Sequence, residues 1–492
     1  MQPISGQRLA PTILWVFAIY YSLQIIVRMA LPDGLRIDEA QQVFFSQWFV
    51  AGYNAQPPLY NWLQLLTFAI VGDYLVGLAV LKSVVLFAIL ASYYALARML
   101  LKTPAYAVLA TLGLFIIPQM FWQAQRDLTH TTATMLLLNL LLIAALQVLR
   151  TPSLWAYVLL GASVGLGMLT KYNFALFLPA LAVAVWFHPD GRRRIFDWRM
   201  LPAILVAALI ILPHAIWFVG NIQAASSVTL SRMGEEAAET SRVWQIGLGL
   251  FNLAASTVLM ALPAVLLFAL AFAKVGFGQA RASSVECRFV GAFLATILIV
   301  LALMIFATTF TTFRDRWMLP LLQVLPIYFA LQLENRGVDP LEPLRRIMPG
   351  ILMMVALLPI ATFAAGYFSA SHYQQPYTAF RSELEKREGT SPALIVTKDW
   401  LVAGNAKLQW PGVPVMTTQF PELEPAGIDS GTRPVMLLWR GRATEPPKGL
   451  LNWAKSRLGE TVNPGMVKNV TLPYDGPRNE TAPPFHYILI AG

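Results

Sequence analysis

Eleven apolar stretches run through the chain, near residues 11–31, 75–97, 104–121, 130–149, 154–170, 173–187, 200–219, 246–273, 289–306, 317–333 and 347–368. Most approach the roughly 20 residues that a helix needs to cross the hydrocarbon core of a bilayer. In lipid every peptide group must be hydrogen-bonded within its own segment, so such a chain has helices as its backbone option. Composition agrees: 57% of the 492 residues are hydrophobic and only 13% are charged, against about 25% in soluble domains. The expected fold is a polytopic α-helical membrane protein with about 11 transmembrane helices over residues 1–369, followed by a small soluble α/β domain over residues 370–492.

The net charge of +10 could suggest nucleic acid, but the basic residues lie mostly in short loops between apolar runs. That placement reads as membrane topology and excludes a nucleic-acid patch. With the N-terminus in the cytoplasm, fourteen basic residues fall inside, among them Arg192, Arg193, Arg194, Lys274 and Arg281, and seven fall outside. An odd number of spans then carries the tail after Tyr367 to the outer side. Cys287 is the single cysteine, so no intramolecular disulfide or cysteine metal cluster is available. The first stretch has spanning length and lacks a small-residue cleavage site, so it reads as a span rather than a removable leader. Beyond Ser371, strands are expected at 393–396, 413–417, 434–439 and 486–490, with helices at 401–408 and 450–458. That order predicts an α/β unit with some parallel pairing.

Inside, the basic residues form runs; outside, several stand beside acids and aromatics, which topology does not require. The first outer loop holds Arg36, Asp38 and Glu39. One carboxylate could act as general base towards an arriving hydroxyl, and Asp38 could also cap a helix over 39–50. The run Gln56-Pro57-Pro58-Leu59-Tyr60 follows. In the second loop, Arg126, Asp127 and His130 surround a helix start, where Asp127 or Thr129 could cap and Arg126 could snorkel. Lys171, in Thr170-Lys171-Tyr172-Asn173, needs an anion, water or a headgroup between its two apolar segments; Lys82 is a weaker case of the same kind. Arg314 and Arg316 flank Asp315 and could hold a phosphate as bidentate donors, although lipid headgroups would also suit them. Carboxylates and cations gathered at one leaflet suit transfer from a lipid phosphate. A transporter or flippase for lipid-linked sugars is the alternative, but it would place ionisable groups near the midplane and often carries repeats. Neither feature is found in this sequence.

The order of these motifs, from Asp38-Glu39 through Gln56-Pro57-Pro58-Leu59-Tyr60 and Asp127 to Thr170-Lys171-Tyr172 and Arg314-Asp315-Arg316-Trp317, resembles the GT-C membrane glycosyltransferases. The nearest branch is that of the protein mannosyltransferases and aminoarabinose transferases, and within it the bacterial lipopolysaccharide-core galacturonosyl transferases. The similarity covers roughly residues 10–330. It implies a GT-C fold and inverting transfer of a sugar, galacturonic acid by resemblance, from a polyprenyl-phosphate donor. The implied acceptor is a lipopolysaccharide core or lipid A, on the periplasmic face of a bacterial inner membrane. Asp38 matches the family's base, Asp127 its second-loop acid, and Lys171 the lysine of a Thr-Lys-Gly motif. Catalytic roles are therefore expected for Asp38, Asp127 and Glu39, and donor-phosphate contacts for Arg36, Lys171, Arg314 and Arg316. Substrate contacts are expected from Gln56, Tyr60, Arg126, His130, Tyr172 and Arg232, with membrane lipids as further partners and no nucleic acid. One departure matters. The aminoarabinose transferases carry Glu-Lys-Pro where this chain has Ala55-Gln56-Pro57, and residues 220–245 lack the histidine that completes their zinc site. No tightly bound metal of that type is expected, which leaves a divalent cation open. The phosphate charge must then be met by Arg36, Lys171 or Arg232.

Overall fold

The structure, a computed structural model, describes residues 6–223, 225, 241–273, 283–369, 371–425, 431–477 and 480–491. Among them, seven helices are long and apolar enough to cross a membrane: Pro11–Met29, Tyr74–Leu100, Thr129–Arg150, Met200–Gly220, Arg242–Phe272, Val285–Ala307 and Leu341–Tyr367. Two expected spans are broken. Pro104–Phe115 and Gln119–Arg126 meet at 67°, and Asp315–Leu322 and Leu325–Asn335 meet at 51°. The count is thus seven, or nine with each bent pair as one span, rather than the eleven read from the sequence. Leu154–Met168 and Tyr172–Trp186, expected to cross, are shorter apolar helices, as is Leu59–Val71.

The breaks have local causes. Pro118 precedes a π-helical turn, Gln119–Gln123, and Pro326 opens the second half of the other pair; neither can donate a backbone hydrogen bond. At the second break the polar groups are recaptured by side chains. The Gln323 carbonyl accepts from the Tyr93 hydroxyl at 2.8 Å. Gln323 Nε2 donates to the Met135 carbonyl and to Asn139 Oδ1, at 3.0 and 2.9 Å. A helix can be interrupted at membrane depth when neighbours re-satisfy the freed groups in this way.

By its internal contacts the chain divides into two units. The first comprises Met1–Ser22, Ala51–Tyr60 and Lys82–Leu357; the second comprises Leu23–Val50, Asn61–Leu81 and Leu358–Gly492. In the first, Leu154–Met168 meets Met200–Gly220 through Gly161 and Gly165. A Cβ on Gly161 would lie 2.1 Å from the Ala203 carbonyl oxygen, so this crossing needs the small-xxx-small spacing that lets helix backbones touch.

The second unit contains a five-stranded sheet. Its strands are β1 (Leu394–Thr397), β2 (Val415–Thr417), β3 (Val435–Arg440), β4 (Lys468–Val470) and β5 (Phe485–Ile490), in the order β2-β1-β3-β5-β4. β1 runs parallel to β2 and β3, and β5 runs antiparallel to β3 and β4. Leu394, Val396, Leu437 and Ile488 form its core with Leu450 and Ala454 of the helix Lys448–Leu458. β4 and the helix Tyr377–Glu388 were not expected from the sequence. β4 has three residues, two of them exposed, and so shows no alternation to read.

This unit also holds the first-loop helix, Ile37–Phe45, which packs on Trp400–Gln409. The two backbones approach at Gly404, where a Cβ would fall 2.0 Å from the Ala40 carbonyl oxygen. Asn405 Oδ1 accepts the Leu35 N–H at 2.8 Å, and the Tyr373 carbonyl accepts the Gly34 N–H at 3.0 Å. Gln47 takes both backbone groups of Val415, each at 2.9 Å, and so closes the outer edge of the sheet. Gly404→Val is expected to destabilise the protein by about 1–3 kcal/mol through overpacking, read as a lower thermal midpoint in detergent. An unchanged midpoint would contradict the backbone contact.

Candidate active site

The helix Ile37–Phe45 starts from Arg36, not from Asp38, and stops at Phe45, short of the expected 39–50. Arg36 is extended (φ −73°, ψ 168°), and its N–H donates to Glu39 Oε2 at 3.1 Å, the glutamate half of a capping box. Asp38 therefore lies in the first turn, partly exposed, near the positive end of the helix dipole. The capping role belongs to Glu39.

Glu39 is also held by Arg28. The guanidinium donates to Glu39 Oε1 from Nε at 2.8 Å and to Oε2 from Nη2 at 3.2 Å. It donates further to the Pro32 and Gly34 carbonyls, each at 3.3 Å, and lies 4.7 Å above the Tyr373 ring. Arg36 sits over the same ring at 5.8 Å. The Arg28 and Glu39 side chains are only 9% and 14% exposed, so this is a largely dry ion pair. Sequence reading missed Arg28, because a basic residue closing an apolar span looks like an ordinary stop signal.

The first unit contributes a cavity. Residues 53–56 form a tight turn in which Tyr53 and Gln56 exchange backbone hydrogen bonds at 3.2 and 3.1 Å. Asn54 has φ +52°, a left-handed conformation that asparagine tolerates well, and its Oδ1 accepts the Ala55 N–H at 2.8 Å. After the rigid Pro57-Pro58, the Leu59 N–H is fixed to the Leu169 carbonyl at 2.9 Å. The turn presents Ala55 and Gln56 to a cavity of ≈ 370 Å³ that Lys171, Tyr172 and Asn173 also line. Its remaining wall is apolar, with Leu301, Met304, Phe310, Phe313, Trp317 and Leu321. Lys171 Nζ donates to Thr131 Oγ1 at 3.2 Å. The Tyr172 ring stacks on His214 at 5.8 Å, and His214 Nδ1 lies 2.7 Å from the Ala51 carbonyl oxygen. The Tyr172 hydroxyl and Asn173 Oδ1 are buried and make no hydrogen bond among the described residues.

The second loop is held around this region. Asp127 donates its N–H to the Gln123 carbonyl at 2.8 Å, and its own carbonyl accepts from Lys82 Nζ at 2.7 Å. Leu128 follows in the left-handed region, φ +66°, and turns the chain into Thr129–Arg150. That conformation is costly for a leucine. His130 is buried, its ring 5.8 Å from that of Tyr60, and Arg126 lies over Trp122 at 5.2 Å. Asp315, between the two arginines, accepts a hydrogen bond from Gln119 Nε2. Arg314 lies 5.6 Å above Trp317, and Arg316 is partly exposed in the first turn of Asp315–Leu322. Ser256 Oγ donates to the Phe313 carbonyl at 2.7 Å and steadies this segment. Arg232, Lys274 and Arg281 lie outside the described residues.

The structure thus brings Gln56, Lys171 and Tyr172 to one cavity, and Arg36, Asp38 and Glu39 to one helix start. No role was expected for Asn173 or His214: one only closes the motif Thr170-Lys171-Tyr172-Asn173, and the other was hidden in an apolar span. A pocket with one cationic, amide-bearing wall and one aliphatic and aromatic wall suits an amphiphile with an anionic head.

Lipopolysaccharide core galacturonosyltransferase RgtB of Rhizobium johnstonii is 35% identical over 493 residues, covering 97% of each chain. The chain belongs to the lipopolysaccharide core galacturonosyltransferase family. RgtA of the same organism is 37% identical over 437 residues, 87% of this chain and 86% of that one. The family model for dolichyl-phosphate-mannose-protein mannosyltransferase matches residues 55–217, from the turn that presents Gln56 to the helix bearing His214. The fold is that of ArnT from Cupriavidus metallidurans, solved with undecaprenyl phosphate, at a TM-score of 0.62 and 13% identity over 98% of this chain and 99% of that one. Its apo form superposes at 0.58 with 12% identity and the same coverage. The galacturonosyltransferase family is one of membrane glycosyltransferases, so this chain is an enzyme of that class.

Arg28→Ala would leave Glu39 largely buried without its counter-charge, at an expected cost of about 3–5 kcal/mol in stability. Replacing both partners, Arg28→Met with Glu39→Leu, should restore most of the thermal midpoint. A double variant no more stable than Arg28→Ala would contradict the pairing.

Proposed function

We propose that this enzyme transfers galacturonic acid from a polyprenyl monophosphate to a hydroxyl of a lipopolysaccharide core or lipid A, with inversion, at the periplasmic face of the inner membrane. The observation that carries this reading is the cavity in which Lys171 and Gln56 face an apolar wall of Phe313, Trp317 and Leu301. Its family membership supplies the sugar and acceptor class, and the undecaprenyl phosphate named for the ArnT structure is consistent with a polyprenyl donor.

The chemistry is a single displacement. The acceptor oxygen attacks the anomeric carbon as the bond to the phosphate oxygen breaks, and polyprenyl phosphate departs with the electron pair. Asp38 takes the acceptor proton. Lys171 stabilises the negative charge that grows on the leaving phosphate, where an apolar surround strengthens it; Arg36, Arg314, Arg316 and Arg232 supply further positive charge. Glu39, held by Arg28 and the Arg36 N–H, positions the loop. Asp127 orients the sugar or the acceptor, with Gln56, Tyr60, Arg126, His130 and Tyr172 as substrate contacts. With Leu154–Met168 and Tyr172–Trp186 also crossing, beside the seven long helices and the two bent pairs, the chain would traverse the bilayer eleven times. With a cytoplasmic N-terminus, an odd number of crossings would carry the C-terminal α/β fold to the periplasmic side.

Transfer of radiolabelled galacturonate from a synthetic polyprenyl-phosphate donor to core oligosaccharide in proteoliposomes tests the reading. Wild type should transfer, and Asp38→Asn should lose about 10²–10⁴-fold in rate with an unchanged thermal midpoint. Full activity in Asp38→Asn would refute the base. Lys171→Met should raise the donor KM about tenfold or more, the size expected of a charge-assisted hydrogen bond; an unchanged KM would remove Lys171 from the phosphate site.

A further inference from the structure

Gln42 lies one turn beyond Asp38 on the helix Ile37–Phe45, and residues four apart share a helix face. The residue is 1% exposed, yet neither Nε2 nor Oε1 of its side chain has a hydrogen-bond partner among the described residues. Packing does not ask for an amide there. The helix contributes Ala40 and Val43 to an apolar cluster with Phe68 and Leu78, and those two positions lie on a different face from 42. On Leu59–Val71, which supplies Phe68 to the same cluster, both side-chain atoms of Asn61 and Nε2 of Gln64 are likewise buried without partners.

Buried amides are nearly always paired, and an apolar group of the same shape would be neutral or stabilising at such a position. A carboxamide presents a donor and an acceptor side by side. A phosphate oxygen only accepts and an ammonium only donates, so neither satisfies both atoms. Two neighbouring sugar hydroxyls do, one donating to Oε1 and the other accepting from Nε2.

We propose that Gln42 is a sugar-binding residue whose carboxamide takes a pair of adjacent pyranose hydroxyls beside the base. The inference rests on the assignment of Asp38 as that base. The hydroxyls belong either to the sugar being moved or to the acceptor sugar, and the two sources separate in the test.

Wild type is compared with Gln42→Met, a near-isosteric apolar change, in proteoliposomes. The probes are synthetic polyprenyl-phosphate galacturonate with its monodeoxy analogues as donors, and core oligosaccharide with its monodeoxy analogues as acceptors. Wild type should discriminate at least tenfold against one deoxy position. Gln42→Met should lose that discrimination, transfer the full substrate at least tenfold more slowly, and melt at the same temperature or higher. Discrimination lost in the donor series assigns the hydroxyls to the donor, and discrimination lost in the acceptor series assigns them to the acceptor. Equal discrimination by both proteins at every position overturns the proposal. So does a Gln42→Met protein that fails to fold, since the amide would then be structural. Asp38→Asn assayed alongside keeps the two ideas apart: full transfer by that variant removes the base and leaves the Gln42 comparison readable. A wild type that transfers nothing sinks both.

Discussion

The ion pair between Arg28 and Glu39 is the interaction on which the first loop depends. Arg28 leaves the end of an apolar helix, where a charge without a partner would be expensive. Its fork engages both Glu39 oxygens and the Pro32 and Gly34 carbonyls, so residues 28–39 are tied to one another across the turn. Glu39 in turn accepts the Arg36 N–H and starts the helix that carries Asp38. The C-terminal fold completes the arrangement, with Tyr373 beneath the guanidinium, Asn405 on the Leu35 N–H and Gln47 against the edge of β2. Its first task, on this account, is architectural. It holds a short membrane-boundary helix that nine residues could not stabilise alone.

In the first unit the same problem is solved with broken helices. A straight span would bury its backbone and present only side chains. The interruptions at Pro118 and before Pro326 instead turn the chain; at the second, the Tyr93 hydroxyl takes the Gln323 carbonyl, and the Gln323 side chain is held by Met135 and Asn139. The hydrogen bond from Gln119 to Asp315 ties one broken pair to the other, next to Trp317 of the cavity wall. Lys171 is thus kept beside a surface of low polarity, where a single ammonium exerts a stronger field on a phosphate than it would in water. Membership of a transferase family favours transfer over passage across the bilayer.

Much of this was legible in the chain, for physical reasons. Long apolar runs and the β-branched strands of the C-terminal fold have strong periodic signals, so the seven long helices and four of the five strands were expected near their observed places. Lys171 stood out because a lysine between two apolar segments needs an anion, water or a headgroup, and Gln56 through the resemblance carried by Gln56-Pro57-Pro58-Leu59-Tyr60. Three things were hidden. A proline inside a hydrophobic run gives no warning of whether it kinks a helix or ends it, which is why two spans turned out bent. Arg28 looked like a stop signal, because its partner lies eleven residues away across a turn. Gln42 looked like one polar residue of an amphipathic helix, and only its burial without a partner sets it apart.

In the mechanism we propose, one carboxylate, held by the first loop, drives a single displacement at the anomeric carbon. The most direct measurement is the anomeric configuration of the product, by proton and carbon NMR of the enzymatically modified core oligosaccharide made from a donor of known configuration. An inverted linkage is expected. A retained configuration would require a covalent sugar–enzyme intermediate or an equivalent double displacement, and would contradict it.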